Sequence, residues 1–242
     1  GVWLDVTHLP REQIETRLPV MLEQFLKFGV DIRTTPMEVA PTAHHIMGGL
    51  RITPDCKTTL PGLFACGEAA GGVHGANRLG GNSLAETQVF GRRAGAAAGR
   101  AEKQQKKVDR DQVKRQQERL GRFMNGTKSP ARVRMLLQQA MWDGANIFRN
   151  ATDLKKALAA AGVLADKPLR AETSRNLAEC CTVENMCLTA SLICRSALIR
   201  EESRGAHVRT DIRQAHDAEH SPFGHTFVSK KGQGIEKRGV PA

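Results

Sequence analysis

Apolar residues recur at Ile14, Leu18, Met21, Leu22, Phe25 and Leu26, with acids early and Lys27 late, which predicts an amphipathic helix over 9–28, kinked at Pro19. Gly29 should end it. Val30-Asp31-Ile32 then alternates like a strand, and Pro36, Pro41 and Gly48-Gly49 keep residues 33–50 from being helical. A short apolar run, Leu63 to Cys66, predicts a buried strand that empties at Gly67-Glu68 into a glycine-rich loop. Small residues at helical spacing follow over Leu84 to Gly99, with Asn82 or Ser83 as the expected N-cap. Beyond residue 101 apolar positions fall at helical intervals in 108–124, 130–149, 151–162 and 172–202, the pattern of a helical bundle. From Ser203 periodicity ends, so 203–242 is expected to be an extended C-terminal tail. The fold class is therefore mixed α/β and α.

Composition narrows this picture. The chain has 242 residues, 40% hydrophobic and 25% charged, which excludes a disordered or collagen-like polymer. No uninterrupted apolar run approaches the ~20 residues that span a bilayer, and the opening GVWLDVTHLPRE lacks the build of a secretory signal. The six cysteines contain no CxxC pair and read as reduced thiols, with neither a disulfide framework nor a metal site. Cys180, Cys187 and Cys194 recur every seven residues, as small buried hydrophobes on one helix face do, and Met135, Met141 and Met186 are expected core fillers. The net charge of +11 favours anionic partners. The basic run over 103–122 has interleaved acids, and the chain has no Tyr, so a solvated helix face is expected there and no nucleic acid partner.

Chemistry concentrates in His44-His45-Ile46-Met47-Gly48-Gly49, Gly67-Glu68 and the loop from His74 to Ser83. Dense glycines mark close backbone approach to a large ligand, and an acid at a strand end suits sugar hydroxyls, which makes Glu68 a candidate. The helix starting near Ser83 would turn its N–H groups and positive end toward an electron-rich ring edge, a carboxylate or a phosphate, with Ser83 and Leu84 against the ligand. Arg78 can fork onto a carboxylate and His44 can donate to another, so together they suit a small dianion. The plainer alternatives are a local cap or ion pair for Arg78 and a packed or surface imidazole for His44 or His45.

PTAHHIMGG, LPGLFACGEAAGGVHGANRLGGNSLAETQVFGRRAG and ESRGAH-x-R-x-D at 202–211 together resemble the flavoprotein subunit of succinate dehydrogenase and fumarate reductase, with matching order from Gly1 to about Asp211. The resemblance implies FAD as cofactor, bound by Glu68 and by Asn82, Ser83 and Leu84 at the start of the helix aimed at the flavin ring. It implies His44 and Arg78 as ligands of the dicarboxylate substrate, succinate or fumarate, with hydride passing at flavin N5. The proton-moving arginine is expected upstream of Gly1, so no catalytic residue is assigned here. The GxGxxG segment, the FAD-attachment histidine and the start of the capping domain are absent, and His45 stands where the family commonly has Tyr. A C-terminal part of a subunit is therefore expected: the end of a capping domain (1–40), the C-terminal part of an FAD-binding domain (41–104), a helical bundle domain (105–202) and a tail (203–242). By itself such a part would be inactive. The implied partners are membrane anchor subunits and an iron–sulfur subunit, with a cytoplasmic location on the inner face of a membrane. Gly80-Gly81 stands where L-aspartate oxidases usually have Ala-Ser, which makes an L-aspartate oxidase-like enzyme the second reading. A non-catalytic helical interaction module is the third.

Overall fold

The computed structural model describes residues 1–40, 43–101 and 108–212. Pro41, Thr42, the first part of the basic run and everything after Ile212, including the run KKGQGIEKRGVPA, lie outside the described residues. The chain divides into two compact units, Gly1–His45 and Ile46–Ala242.

In the first unit, β1 (Val2–Leu4) pairs antiparallel with β2 (Met37–Val39), Val2 opposite Val39 and Leu4 opposite Met37. Between them run α1 (Arg11–Arg17) and α2 (Pro19–Lys27). The expected kink is a complete break at Leu18, because Pro19 opens the second helix instead of bending the first. Ile14, Leu22, Ile32 and Met37 form the core of this unit. The predicted strand Val30–Ile32 is a turn. The Asp31 carbonyl accepts the N–H groups of Thr34 and Thr35, and its carboxylate takes the Arg33 N–H at 3.0 Å and guanidinium at 2.8 and 2.9 Å. Those hydrogen bonds from Arg33 hold the Asp31 pKa down to about 2.

The second unit opens with β3 (Leu50–Arg51), the 3-10 turn Gly67–Ala69 and β4 (Ala70–Gly71), which lies parallel to β3. The strand expected at Leu63–Cys66 is a single bridge between Lys57 and Phe64, too short for a ladder between the turns at Gly62 and Gly67. Next come α3 (Asn82–Arg100), α4 (Arg110–Arg122), α5 (Pro130–Ala145), β5 (Phe148–Arg149), α6 (Ala151–Ala165), α7 (Ser174–Ile199) and β6 (Val208–Arg209). Asp109, Ser129, Asn150 and Thr173 cap α4 to α7 by accepting backbone N–H groups of the first turn.

The bundle core follows the periodicity of α7. Cys180, Val183, Cys187, Ala190, Cys194 and Ala197 are buried against α5 and α6, where Val133, Leu137, Leu154, Ala157 and Ala161 meet them. Burial pushes the thiols of Cys180, Cys187 and Cys194 up from their ordinary pKa, so they stay protonated and serve as small hydrophobes. By length and composition α7 could cross a bilayer; here its apolar side supplies the bundle core. Met141 and Met186 pack on that core, whereas Met135 is 55% exposed and fills nothing, because it lies on the outer face of α5. On α4, Arg119 pairs with Glu184 of α7 at 2.7 Å, so part of the basic face braces the bundle.

Residues 203–212 do not form a loose tail. Arg209 is buried, forks onto Asp211 at 2.8 and 2.9 Å, and donates through Nη1 to the carbonyls of Ala197, Leu198 and Arg200 that end α7. Asp211 also accepts the Ala151 N–H that opens α6, and these donors hold its carboxyl well below the usual range. His207 receives Arg149 Nη1 on Nδ1 at 3.0 Å and donates from Nε2 to the Arg200 carbonyl at 3.1 Å. Burial pushes its pKa down to about 4, and the arginines around it add to the shift, so the ring is neutral at pH 7.

Candidate functional site

The chemistry-bearing residues of the second unit are held by backbone packing that only glycine permits. A Cβ on Gly49 would stand 2.5 Å from the Ala69 carbonyl oxygen, so the residue leading into β3 and the Gly67–Ala69 turn touch main chain to main chain. Glu68, in that turn, accepts the Ile46 N–H at 2.8 Å and ties the Ile46–Gly49 strip to the turn. Cys56 pins the preceding loop to the next helix: its buried thiol donates to the Phe90 carbonyl at 3.4 Å.

The glycine-rich loop then delivers the chain to α3. Gly81, not Asn82 or Ser83, is the N-cap, with left-handed φ of 81° and no side-chain cap. Asn82 and Ser83 are therefore already helical, and a glycine with no side-chain acceptor leaves the first turn's N–H groups without a capping side chain. Leu84 is 77% exposed in that turn. Arg78 is half-buried in the loop and donates from Nη1 to the Leu79 carbonyl at 3.2 Å. Glu68, Arg78, Asn82, Ser83 and Leu84 thus all belong to the second unit, whereas His44 is an exposed residue of the first.

Two contacts that sequence reasoning missed hold this loop. His74 Nε2 meets Glu86 Oε2 at 2.9 Å, and both side chains are almost wholly enclosed. Glu86 heads the inward stripe Glu86, Phe90, Ala94 of α3, and an acid at such a position was the available signal, since a buried carboxylate needs a partner. The second contact is between Ala76 and the turn at Gly205, where the Ala206 N–H reaches the Ala76 carbonyl at 3.4 Å. The family resemblance implies that 203–211 packs on the flavin domain, but no periodicity marks Gly205 or Ala76 as the point of contact. Among the described residues no group of His, Cys, Asp and Glu could hold a metal ion.

This arrangement fits a flavin nucleotide: main chain packed too closely for side chains at Gly49, a carboxylate in the adjoining turn, and a helix start with uncapped donors. Comparison with known proteins agrees. A family model described as FAD binding domain matches residues 1–84, and one described as fumarate reductase flavoprotein C-term matches 134–240. A fumarate reductase (CoM/CoB) subunit of Methanothermobacter marburgensis is 51% identical over 220 residues, covering 88% of this chain and 40% of that protein. The Escherichia coli fumarate reductase flavoprotein subunit is 36% identical over 228 residues, covering 87% and 37%. A solved E. coli quinol fumarate reductase variant superposes with a TM-score of 0.85 at 33% identity, covering 98% of this chain and 44% of that one. The chain thus spans about two fifths of the length of the relatives it matches. Two family models, these relatives and the shared fold lead to one conclusion: the chain belongs to the succinate dehydrogenase and fumarate reductase flavoprotein family.

Proposed function

We propose that this chain is the C-terminal part of a flavoprotein subunit that interconverts succinate and fumarate. The observation that carries the reading is the uncapped start of α3 at Gly81-Asn82, three residues after Arg78 in the loop. FAD held there by Glu68, Asn82, Ser83 and Leu84 would supply hydride acceptance and donation at N5. Arg78 binds one carboxylate of the dicarboxylate as a bidentate donor, and His44 donates to the other. Both orient the dianion, and Leu84, apolar and exposed in the first turn, helps to exclude water from the reacting carbons. The proton is moved by an arginine upstream of Gly1.

In this reading residues 1–40 end a capping domain, 41–104 complete the FAD-binding domain, 105–202 are the helical domain and 203–242 the terminal segment. Electrons are exchanged with an iron–sulfur subunit, in an assembly attached through anchor subunits to the inner face of a membrane. The test is an assay of the full-length polypeptide, loaded with FAD, against succinate, fumarate and L-aspartate. Malonate-sensitive turnover of the first two is expected. Turnover of L-aspartate alone would move the assignment to an oxidase, and failure to bind either flavin or malonate would overturn it in favour of an interaction module.

A further inference from the structure

The turn Ser203–His207 joins two parts of the second unit that the sequence keeps far apart. On one side it is fastened to the helical bundle. Ser203 Oγ accepts the Arg209 N–H at 2.8 Å, the Arg204 N–H donates to the His207 carbonyl at 2.7 Å, and the His207 ring is held by Arg149 and the end of α7. On the other side its tip lies on the glycine-rich loop. Gly205 has a left-handed φ of 58°, and a Cβ there would overlap the Ala76 carbonyl and crowd the Ala76 methyl at 2.8 Å. Next to this contact, Arg204 Nη1 is buried with no hydrogen-bond partner among the described residues, so the guanidinium does not brace the turn through that atom. The close approach of main chain to main chain does so instead.

Ala76 stands two residues before Arg78 and two after His74, whose ring is fixed by Glu86. The loop is therefore held at His74 from α3 and at Ala76 from the bundle, and the short stretch to Arg78 inherits its position from both. We propose that Gly205 is a positioning residue, through which the helical bundle sets the glycine-rich loop and so the placement of the Arg78 guanidinium for its dicarboxylate. The proposal rests on the functional reading of Arg78 given above. A side chain at 205 would push Ala76 away and leave the helix start intact, which separates dicarboxylate binding from flavin binding.

The experiment compares wild type with Gly205→Ala and Gly205→Asn in the full-length polypeptide loaded with FAD. Asn tolerates left-handed φ but carries the same Cβ, so failure of Asn to rescue separates the close approach from backbone strain. Amide exchange over 75–79 should quicken about tenfold in both variants, while exchange in α7 stays at the wild-type rate. The malonate-induced change in the flavin spectrum should require about tenfold more malonate, and KM for the dicarboxylate should rise by a similar factor with kcat and flavin content held. Unchanged loop exchange in a folded Gly205→Ala protein, or full rescue by Asn, would overturn the proposal. If both variants fail to fold, Ser203→Ala decides: it removes the hydroxyl that ties the turn to Arg209 and should quicken the same loop amides, and wild-type exchange there would overturn the proposal as well. Wild-type protein that binds no malonate would instead sink the dicarboxylate reading, while the exchange data still judge the coupling of turn to loop.

Discussion

α3 and α7 are the longest helices among the described residues, 19 and 26 residues, and both are rich in small side chains. They use those side chains differently. On α7 the cysteines and alanines form an inward stripe that α5 and α6 fill, and Thr173 caps its start. On α3 only Glu86 and Ala94 are buried, a Cβ on Gly91, Gly95 or Gly99 would meet nothing within 4 Å, and the start has no side-chain cap. Small residues on α7 let helices approach; on α3 the candidate site residues lie at the start of the helix and in the loop before it. Stability and ligand binding should accordingly be separable by mutation.

The largest expected effect lies on the loop side. Arg78→Ala in the flavin-loaded full-length polypeptide should weaken malonate binding about a thousandfold, since a charge-assisted pair is lost and the ligand's carboxylate is left unpaired. Titration followed by the flavin spectrum measures it, and the unfolding midpoint in urea should not move. Malonate affinity unchanged in this variant would remove Arg78 from the site.

On the bundle side, Leu154→Ala should lower the unfolding free energy by about 3 kcal/mol, because the side chain is fully buried between α6 and α7 and leaves a cavity. Leu84→Ala on α3, by contrast, should stay within about 0.5 kcal/mol in flavin-free protein, because without the cofactor the side chain is in solvent. Equal losses in the two variants, read from urea denaturation, would erase the contrast between the helices.

How much of this was legible in the sequence follows the same division. The bundle was readable because Cys180, Cys187 and Cys194 repeat at the period of the helix that buries them. The failures have physical reasons. Val30–Ile32 alternates like a strand, but Asp31 spends its carboxylate and carbonyl on closing a turn. Asn82 looked like a cap, but Gly81 can take the left-handed conformation that ends the loop, which shifts the helix start by one residue. Arg209 and His207 fell in the stretch expected to be an extended tail because the α7 carbonyls that recruit Arg209 lie nine and more residues back along the chain, beyond any local pattern. At the candidate site, Glu68, Arg78 and the coming helix were proposed as residue types in a glycine-rich context. The His74–Glu86 pair and the Gly205–Ala76 approach were not, since each depends on how loops fold back in space.

Acid sharpens the comparison from the bundle side. His207 is held neutral, its pKa pushed from 6.5 down to about 4, so the unfolded chain binds a proton that the folded one refuses as pH falls between those values. This contribution is complete above pH 6.5 and is lost as pH drops toward 4, amounting to up to about 3 kcal/mol. Asp211, held low by Arg209 and the Ala151 N–H, adds a loss of the same sign at still lower pH. Urea unfolding monitored by helical circular dichroism should show this slope, and His207→Gln should flatten it between pH 6.5 and 4. A slope unaltered by that substitution would place the acid sensitivity elsewhere.

The smallest effect tests the helix ends directly. Thr173 Oγ1 accepts the Asn176 N–H at 3.1 Å, so Thr173→Ala should cost about 1 kcal/mol of bundle stability. Asn82→Ala should cost almost nothing by the same measurement, because no side chain caps α3 and Asn82 already lies inside the helix. What Asn82→Ala should change is flavin retention, read as the fraction of FAD that survives dialysis, if that first turn is where the cofactor's electron-rich edge is held. Loss of stability without loss of flavin would assign Asn82 the structural role that Thr173 has on α7, and the two helix starts would then differ in degree only.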